Sequence, residues 1–360
     1  MIAWARHAVY VRAMAKKQSQ VSTLSFDPDA AAESGSGVFG LPHTEKDAAV
    51  VLVPVPFDAT TSYRRGAAAG PQAIFEASYQ VDLFDIEVGH PYKRGIYMLP
   101  ENKKVKTANN EARRAADAAR QQHQQSRSKQ LTLVDRACGT VNTWLKHETL
   151  RLLDLQKIVG VVGGDHSTPF GFIEAIVERY PDVAILHIDA HADLRPHYED
   201  FTWSHASIMR NVLEKTALKK LVQVGIRDFS FGEHTFIQQQ SGRIKTFFDR
   251  ELKREQARGT SWKTQIDRIM HELPHNVYIS FDIDGLHPAL CPNTGTPVPG
   301  GLSFDDVCTL FYELAQAKRR IVGFDLNEVA PGKNDEWDGN VGARLLYKMC
   351  GYALITNAHT

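Results

Sequence analysis

The sequence has few cysteines and no long apolar run, and each shortage excludes a class of protein. Four cysteines occur among the 360 residues, and no two of them form a CxxC pair. This spacing favours buried, reduced thiols over a disulfide framework or a structural zinc site. No apolar stretch is long enough to span a bilayer, so we expect no membrane partner. The cysteines are Cys138, Cys291, Cys308 and Cys350.

An excess of charge of one sign is also lacking. Lysine and arginine number 42 together, and so do aspartate and glutamate. Proteins that bind nucleic acids or other polyanions usually carry a basic excess, so we expect no nucleic-acid partner. A hydrophobic content of 43% is ordinary for a globular protein.

Acidic residues are absent from residues 1–20, which carry Arg6, Arg12, Lys16 and Lys17. Such a segment is compatible with an organellar transit peptide. It lacks a clear amphipathic stripe and a cleavage signature, so the favoured interpretation is a disordered tail or a true start at Met14. Together with the reduced cysteines, this interpretation predicts a cytoplasmic protein.

The distribution of glycine and proline predicts the domain organisation. Residues 1–45 are expected to form a partly irregular N-terminal arm, because glycine, serine and proline are concentrated between residues 34 and 42. Residues 46–360 are expected to form a single domain in which apolar strands alternate with helices. That alternation is typical of a parallel sheet with both faces covered, so the predicted fold is α/β, a three-layer α/β/α sandwich.

The stretch that organises the domain is a predicted strand from Ile185 that runs into Asp189-Ala190-His191-Ala192-Asp193. Ligand-type side chains occupy every second position at its end, and alternation in a strand would point all three to one side. Two carboxylates and an imidazole that converge in an apolar core are unfavourable unless a cation binds there. The stretch therefore predicts a metal site.

Two further motifs follow the ends of predicted strands. Gly163-Gly164-Asp165-His166-Ser167 follows the apolar run 158–162, and Asp282-Ile283-Asp284 follows the run 276–281. Taken alone, the first is compatible with a helix-capping turn and the second with turn carboxylates. In a parallel sheet, however, the ligand crevice lies at the carboxyl ends of the strands, so the motifs are expected to converge.

Together the strand ends are expected to bring two histidines and four aspartates to one place. This set matches the mixed nitrogen and oxygen ligands of two divalent cations. Without metal, its four carboxylates would repel each other strongly. A two-metal site makes hydroxide available at neutral pH, which is the nucleophile that a hydrolase needs. The predicted ligands are His166, Asp189, His191, Asp193, Asp282 and Asp284.

Three residues form the predicted catalytic set. His205, in Trp203-Ser204-His205-Ala206-Ser207, is suited to shuttle protons at the mouth of the site. Glu328 follows another predicted strand, where its carboxylate is able to pair with a planar cation in bidentate fashion. Asp193 belongs to this set as well as to the metal ligands. His187 is interpreted as a buried supporting histidine and not as a ligand.

These motifs resemble those of the ureohydrolases, which include arginase, agmatinase and guanidine hydrolase. The resemblance is carried by GGDHS (163–167), DAHAD (189–193), SFDIDGLHP (280–288) and the strand end at Glu328, and it extends from about residue 48 to the end of the chain. It implies that a hydroxide between the metals attacks a guanidinium carbon and gives urea and an amine. It also implies an arginase-like fold and assembly into trimers or hexamers.

The resemblance further implies how the ligands are shared. Asp189 and Asp282 would bridge the two metals. His166 and Asp193 would complete the first position, and the second would be completed by His191 and Asp284. The family usually uses manganese, and some guanidine-type members use nickel. The sequence is compatible with either metal.

Residues 194–205 bear on the substrate. This loop departs from the one that holds the amino-acid head of arginine in arginases, and it resembles the DLR…Y…SHA loop of agmatinases. VPFD (55–58) and SYRRG (62–66) are agmatinase-like as well. The resemblance therefore implies an agmatine-type substrate.

Other segments resemble a divergent agmatinase-like branch that includes guanidine hydrolases. They are FGLP (39–42) in the arm, CPNTGTP (291–297) and EWDGN (336–340). An arm folded over the mouth and Trp337 stacked on a planar cation would make a small pocket, which favours guanidine or a small alkylguanidine. Trp337 therefore joins His205 and Glu328 as a predicted substrate contact. The alternative is that Trp337 only packs and the arm contacts a neighbouring subunit.

A non-catalytic partner subunit of the family is a further alternative. Such proteins lose ligands, whereas all six predicted ligands, His205 and Glu328 are present here. A catalytic subunit is therefore the favoured interpretation.

Overall fold

The computed structural model describes residues 26–121 and 124–358. The strands within these ranges are short and mostly apolar. They are Val50–Pro54 (β1), Ile96–Met98 (β2), Ile158–Val162 (β3), Ala184–Ile188 (β4), Lys220–Ile226 (β5), Ile244–Phe248 (β6), Asn276–Asp282 (β7) and Arg320–Asn327 (β8).

All of these strands belong to one sheet, and every neighbouring pair runs parallel. Their order is β2-β1-β3-β8-β7-β4-β5-β6. The central strands are buried on both faces, which explains why their sequences are nearly continuous apolar runs and not alternating ones.

Helices connect most of the strands. Their described bounds are Gly70–Ala77 (α1), Lys103–Gln121 (α2), Gln124–Asp154 (α3), Phe170–Arg179 (α4), Ile208–Lys215 (α5), Phe231–Gln239 (α6), Asp249–Ala257 (α7), Trp262–Glu272 (α8), Phe304–Gln316 (α9) and Trp337–Thr356 (α10). Helices α2 and α3 pack against each other, and we refer to them as the helical hairpin.

Two hydrophobic cores lie on opposite faces of the sheet. One contains apolar side chains of α1 and of α7 to α10, and the other contains side chains of α2 to α6. The molecule therefore has a helical layer, a sheet and a second helical layer. This arrangement confirms the predicted α/β/α sandwich.

Most predicted elements lie within a few residues of the observed ones. The strand 158–162 is found as predicted. The sequence offers Ser303 or Asp305 as the cap of the helix that follows the loop 287–301, and Ser303 caps α9 with a capping box. Strand β2 is three residues long and gives no periodic signal. The sequence pattern favours helices over 109–129 and 138–155, whereas α2 ends at Gln121 and α3 spans Gln124–Asp154.

The described part of the arm packs on the domain. Residues 26–47 are irregular apart from a short 3-10 turn at Val38–Gly40. Phe39 is buried, its ring lies 4.9 Å from the Tyr347 ring, and its N–H donates to Ser78 Oγ at 2.8 Å. The basic stretch and Met14 lie outside the described residues, and the domain boundary at residue 45 stays a prediction.

The composition also leads to expectations about the cysteines and about membrane-spanning helices. All four cysteines are buried and free, as their spacing predicts. Among the described helices, none combines the length and the apolar character needed to cross a membrane.

Candidate active site

The motif-bearing strands are neighbours in the sheet. Strands β3, β8, β7 and β4 lie side by side at its centre. In register, Val162 pairs with Leu326, Leu326 with Phe281, and Phe281 with Ile188. The four strands therefore end at the same level, and the segments that follow them meet at one edge of the sheet.

His166 lies at the centre of the first cluster of polar side chains. Its Nδ1 atom is 3.0 Å from Asp189 Oδ2, 3.3 Å from Asp193 Oδ2 and 3.3 Å from Asp282 Oδ2. All four side chains are buried. The structure thus brings together the residues expected at the first metal position.

His191 lies in a second, adjoining cluster. Its Nδ1 atom is 3.1 Å from Asp284 Oδ2 and 3.5 Å from Asp189 Oδ1. The backbone N–H of Asp284 donates to Asp282 Oδ1 at 2.8 Å, which joins Asp282 to the segment that carries Asp284. Asp189 therefore presents one oxygen to each histidine, and all six predicted ligands lie in one continuous group.

The alternation argument for Asp189 to Asp193 is wrong beyond the first residue. Strand β4 ends at Ile188, and Asp193 has a left-handed backbone with φ of 53°. His191 forms only an isolated bridge with Asp228. The side chains converge because the loop turns around the site, and a strained φ of this kind is typical of functional positions.

The electrostatics of the group call for a cation. Burial and the charge of Asp189 raise the pKa of Asp193 to about 7. Burial, Asp284 and Asp189 raise the pKa of Asp282 well above its usual range. Burial opposes protonation of His166, but its carboxylate neighbours outweigh burial and raise the pKa of that imidazole. The donors fit divalent cations, because carboxylate and imidazole atoms lie within 4.8 Å of one another in two overlapping sets. The first set contains His187 as well as predicted ligands, Asp282 is in neither set, and the sets are His166, His187, Asp189 and Asp193, and Asp189, His191 and Asp284.

His187 orients one of these carboxylates. Its Nε2 atom lies 2.8 Å from Asp189 Oδ2, and the Gln223 amide nitrogen lies 3.0 Å from its Nδ1 atom. An amide N–H donates to an unprotonated ring nitrogen, so the proton of His187 is on Nε2 and is donated to Asp189. Burial lowers the pKa of His187, which keeps the ring neutral. The contact with Asp189 agrees with the prediction that His187 is a buried supporting histidine.

Ser280 and Asp325 are functional candidates that the sequence reasoning missed. Ser280 Oγ donates to Asp325 Oδ1 at 3.1 Å and lies 3.0 Å from His166 Nε2. With the hydroxyl proton given to Asp325, Ser280 accepts the Nε2–H of His166. With a cation bound in the carboxylate cluster, that tautomer would leave the Nδ1 lone pair available to the cation. Ser280 lies two positions before Asp282 on β7 and so faces the same side of the strand. Asp325 is the partner of Ser280 on β8, so alternation along β7 would have indicated both residues.

Ser280→Ala is expected to weaken metal binding by about 10- to 100-fold, because the His166 ring loses the group that fixes its tautomer. Metal retained after dialysis against a graded chelator series measures the change. Ser207→Ala is the matched control, since the Ser207 hydroxyl is buried and makes no hydrogen bond among the described residues. Equal metal retention in the two variants would contradict the role of Ser280.

His205 begins the short 3-10 turn that ends the loop 194–205. Its N–H donates to Thr60 Oγ1 at 3.3 Å, and its Nε2 atom lies 3.3 Å from Ser62 Oγ. The Thr60 hydroxyl donates in turn to the buried Asp165 at 3.1 Å. Burial and the positive charges of the nearby histidines lower the pKa of His205 to about 3, so its imidazole is neutral at pH 7.

Glu328 also occupies a strained position beside the cluster. Its φ is 63°, its side chain is buried, and its Oε1 atom accepts the backbone N–H of His166 at 2.9 Å. A non-glycine residue in this conformation costs about 1–3 kcal/mol and persists only where its surroundings fix it. The structure therefore places Glu328 next to the residues expected at the first metal position.

Trp337 lies at the start of α10, and its side chain is less enclosed than those of the cluster. It is 45% exposed, and its Nε1–H donates to the Ala289 carbonyl at 2.9 Å. This contact anchors the indole to the Pro- and Gly-rich loop after β7. Its stacking on a substrate stays a prediction.

A profile of the arginase family matches residues 48–351 of this sequence. The chain belongs to the arginase family. The predicted relation to the ureohydrolases is thereby confirmed, and the protein is a ureohydrolase with the two-metal site of that family.

Individual arginase-family proteins resemble the chain over most of its length. It is 31% identical over 309 residues to the N(1)-aminopropylagmatine ureohydrolase of Synechocystis sp., covering 85% of this chain and 89% of that protein. It is 27% identical to the agmatinase of Bacillus cereus, covering 79% of this chain and 85% of that one. The crystal structure of the agmatine ureohydrolase of Thermoplasma volcanium superposes with a TM-score of 0.70 at 23% identity, covering 91% of this chain and 97% of that chain.

Proposed function

We propose that the protein hydrolyses a guanidino compound with a cationic alkyl tail, of the agmatine type, to urea and an amine. The observation that carries this proposal is the convergence of two histidines and four aspartates beside Glu328. One carboxylate next to a metal-binding cluster is suited to hold a planar guanidinium. The similarity to an aminopropylagmatine ureohydrolase and to an agmatinase supports a substrate with a positively charged tail.

The metal ligands in this proposal are those expected from the sequence. Asp189 and Asp282 would contribute to both positions, and each position would be completed by one histidine and one further aspartate. When bound, two divalent cations supply a hydroxide nucleophile at neutral pH. We propose manganese as the resident metal, with nickel as the alternative. The completing residues are His166 with Asp193 and His191 with Asp284.

The remaining catalytic roles are assigned to three side chains of the protein. We assign Glu328 to bind and orient the guanidinium. A neutral imidazole carries one donor and one acceptor nitrogen, so His205 is able to pass a proton between the Ser62 hydroxyl and the departing amine. Asp193 stays in the catalytic set because its Oδ2 atom faces His166 Nδ1 at 3.3 Å.

Asp228 is the group that we assign to the distal cation of the substrate. Its backbone pairs with His191, which is the most exposed of the six ligand candidates. Its carboxylate is exposed and forms no ion pair or hydrogen bond among the residues that the structure describes. An exposed, unpaired carboxylate on a residue whose backbone bridges to His191 is suited to bind an ammonium group, which agmatine has and guanidine lacks.

Asp228→Asn is expected to raise the KM for agmatine by about twofold to fivefold, since a partly exposed charge pair contributes up to about 1 kcal/mol. Turnover at saturation is expected to stay near wild type. Guanidine serves as the internal control, because it has no distal ammonium. An unchanged agmatine KM would contradict the assignment of Asp228.

Urea release from a substrate panel tests the proposed function. The panel consists of agmatine, guanidine, methylated guanidines, 4-guanidinobutyrate and arginine, each with manganese and with nickel. We expect agmatine to give the highest kcat/KM. A preference for guanidine would support the smaller-pocket alternative, and no urea from any substrate with either metal would overturn the proposal. Light scattering during size exclusion checks the proposed trimer or hexamer.

A further inference from the structure

The loop that ends at His205 contains a strained turn. Tyr198 and Phe201 form an antiparallel bridge, in which the Phe201 N–H donates to the Tyr198 carbonyl at 2.9 Å. The two residues between them, Glu199 and Asp200, have φ of 53° and 66°. Successive positive φ values are typical of a type I′ turn, which glycine, asparagine and aspartate favour. Asp200 suits such a turn but Glu199 does not, so contacts from outside are expected to stabilise Glu199 in this conformation.

Two arginines of the helical hairpin make these contacts. Arg120, near the end of α2, donates from Nε to Glu199 Oε2 at 2.8 Å, and its guanidinium lies 5.4 Å from the Phe201 ring centre. Arg127, near the start of α3, donates to the Glu199 carbonyl at 3.1 Å and pairs with Asp200 at 2.7 Å. Both acidic side chains of the turn therefore face a cation of the hairpin.

Arg120 also reaches the segment on the other side of His205. Its Nη2 atom donates to the carbonyl of Thr60 at 3.3 Å and to that of Thr61 at 3.1 Å. Thr60 accepts the His205 N–H, and Ser62 lies against the His205 ring. One guanidinium thus joins the segment 60–62, which contacts His205, to the turn of the loop that carries His205.

We propose that Arg120 is a positioning residue that fixes the His205 imidazole by joining residues 60–62 to residues 199–201. The planar guanidinium suits this task because its donors point in several fixed directions at once. Its effect on turnover rests on the proposed role of His205. Its effect on stability is expected to be small, because the Arg120 and Glu199 side chains are 23% and 32% exposed.

Arg120→Met is expected to lower kcat by about 10- to 100-fold with little change in KM, since small misplacements of a catalytic group have effects of this size. Metal content is expected to equal that of wild type. Lys146→Met is the matched control. Lys146 lies on the same hairpin, makes ion pairs with Glu174 and Glu178, and has a side-chain exposure of 22%. Its variant is expected to keep wild-type kcat.

A double-mutant cycle separates positioning from general damage. If Arg120 acts through His205, Arg120→Met causes no further loss of kcat in a His205→Ala background. A full additional loss in that background would overturn the proposal. Should Arg120→Met not fold, Glu199→Gln tests the same contact with a smaller expected loss, and wild-type kcat in that variant would equally overturn it.

Amide hydrogen exchange distinguishes failure of this proposal from failure of the proposed function. In Arg120→Met, amides of residues 197–205 are expected to exchange at least about tenfold faster than in wild type or Lys146→Met, because the turn loses its support. This readout needs no substrate. Unchanged exchange would overturn the role of Arg120 even in an active enzyme. Faster exchange in a protein that releases no urea would support the positioning role of Arg120 and would overturn the proposed function.

Discussion

Asp189→Asn is expected to lose metal retention and urea release together. The Asp189 carboxylate lies between two histidines, with one oxygen 3.0 Å from His166 Nδ1 and the other 3.5 Å from His191 Nδ1. An amide has one neutral oxygen and an NH₂ group that cannot bind a cation. The variant therefore has a defective ligand at both proposed positions, and turnover is expected to fall by roughly 10³-fold or more.

Two measurements on the same samples test this expectation. Metal content is measured after desalting, and urea release is measured with added metal. Added manganese is also expected to raise the Tm of wild type but not of Asp189→Asn, because a ligand stabilises only the state that binds it. Asp228→Asn is the control, since it changes a neighbouring carboxylate that we place outside the metal positions. Full turnover in Asp189→Asn would show that the bridging role is wrong.

The sequence was sufficient to predict the fold because the strand signals are strong. Strands such as 158–162 are short apolar runs bounded by turn residues, and each precedes a polar motif. The parallel arrangement then placed the motifs at one edge of the sheet. This reasoning predicted which side chains come together without predicting the path of the loops that carry them.

The loop conformations were not predictable from periodicity. His191 and Asp193 reach the cluster through a turn with a left-handed residue, whereas alternation assumed a continuing strand. Their backbone conformation is set by tertiary contacts, and no local pattern encodes a strained φ in an aspartate. The expected convergence was correct, although the alternation argument for it was wrong.

Supporting residues differ in how visible they are in the sequence. Ser280 lies two positions before Asp282 and so faces the same side of β7, and Asp325 is a carboxylate within an apolar strand. Both were detectable in principle. Arg120 was not, because its role depends on how the helical hairpin docks against a loop 79 residues away in sequence.

The second large effect is expected at Glu328, where Glu328→Gln should retain metal and lose turnover. Burial and the charge of Asp165 raise the pKa of Glu328 well above its usual range. A guanidinium strongly stabilises the charged form of such a buried carboxylate, because the cation offsets both the cost of burial and the repulsion from Asp165. Glutamine keeps the oxygen that accepts the His166 N–H at 2.9 Å but carries no charge. Removal of the charge is expected to lower kcat/KM by about 10²- to 10³-fold.

Comparison of Glu328→Gln with Glu328→Ala separates the two functions of this side chain. Alanine also removes the acceptor of the buried His166 N–H, which costs about 1–3 kcal/mol of stability. We therefore expect a lower Tm for the alanine variant, a Tm near wild type for the glutamine variant, and equally low urea release from both. Metal content distinguishes binding of substrate from binding of metal. Metal loss in Glu328→Gln would show that this carboxylate acts on the metal site, and retained turnover would show that the guanidinium is held elsewhere.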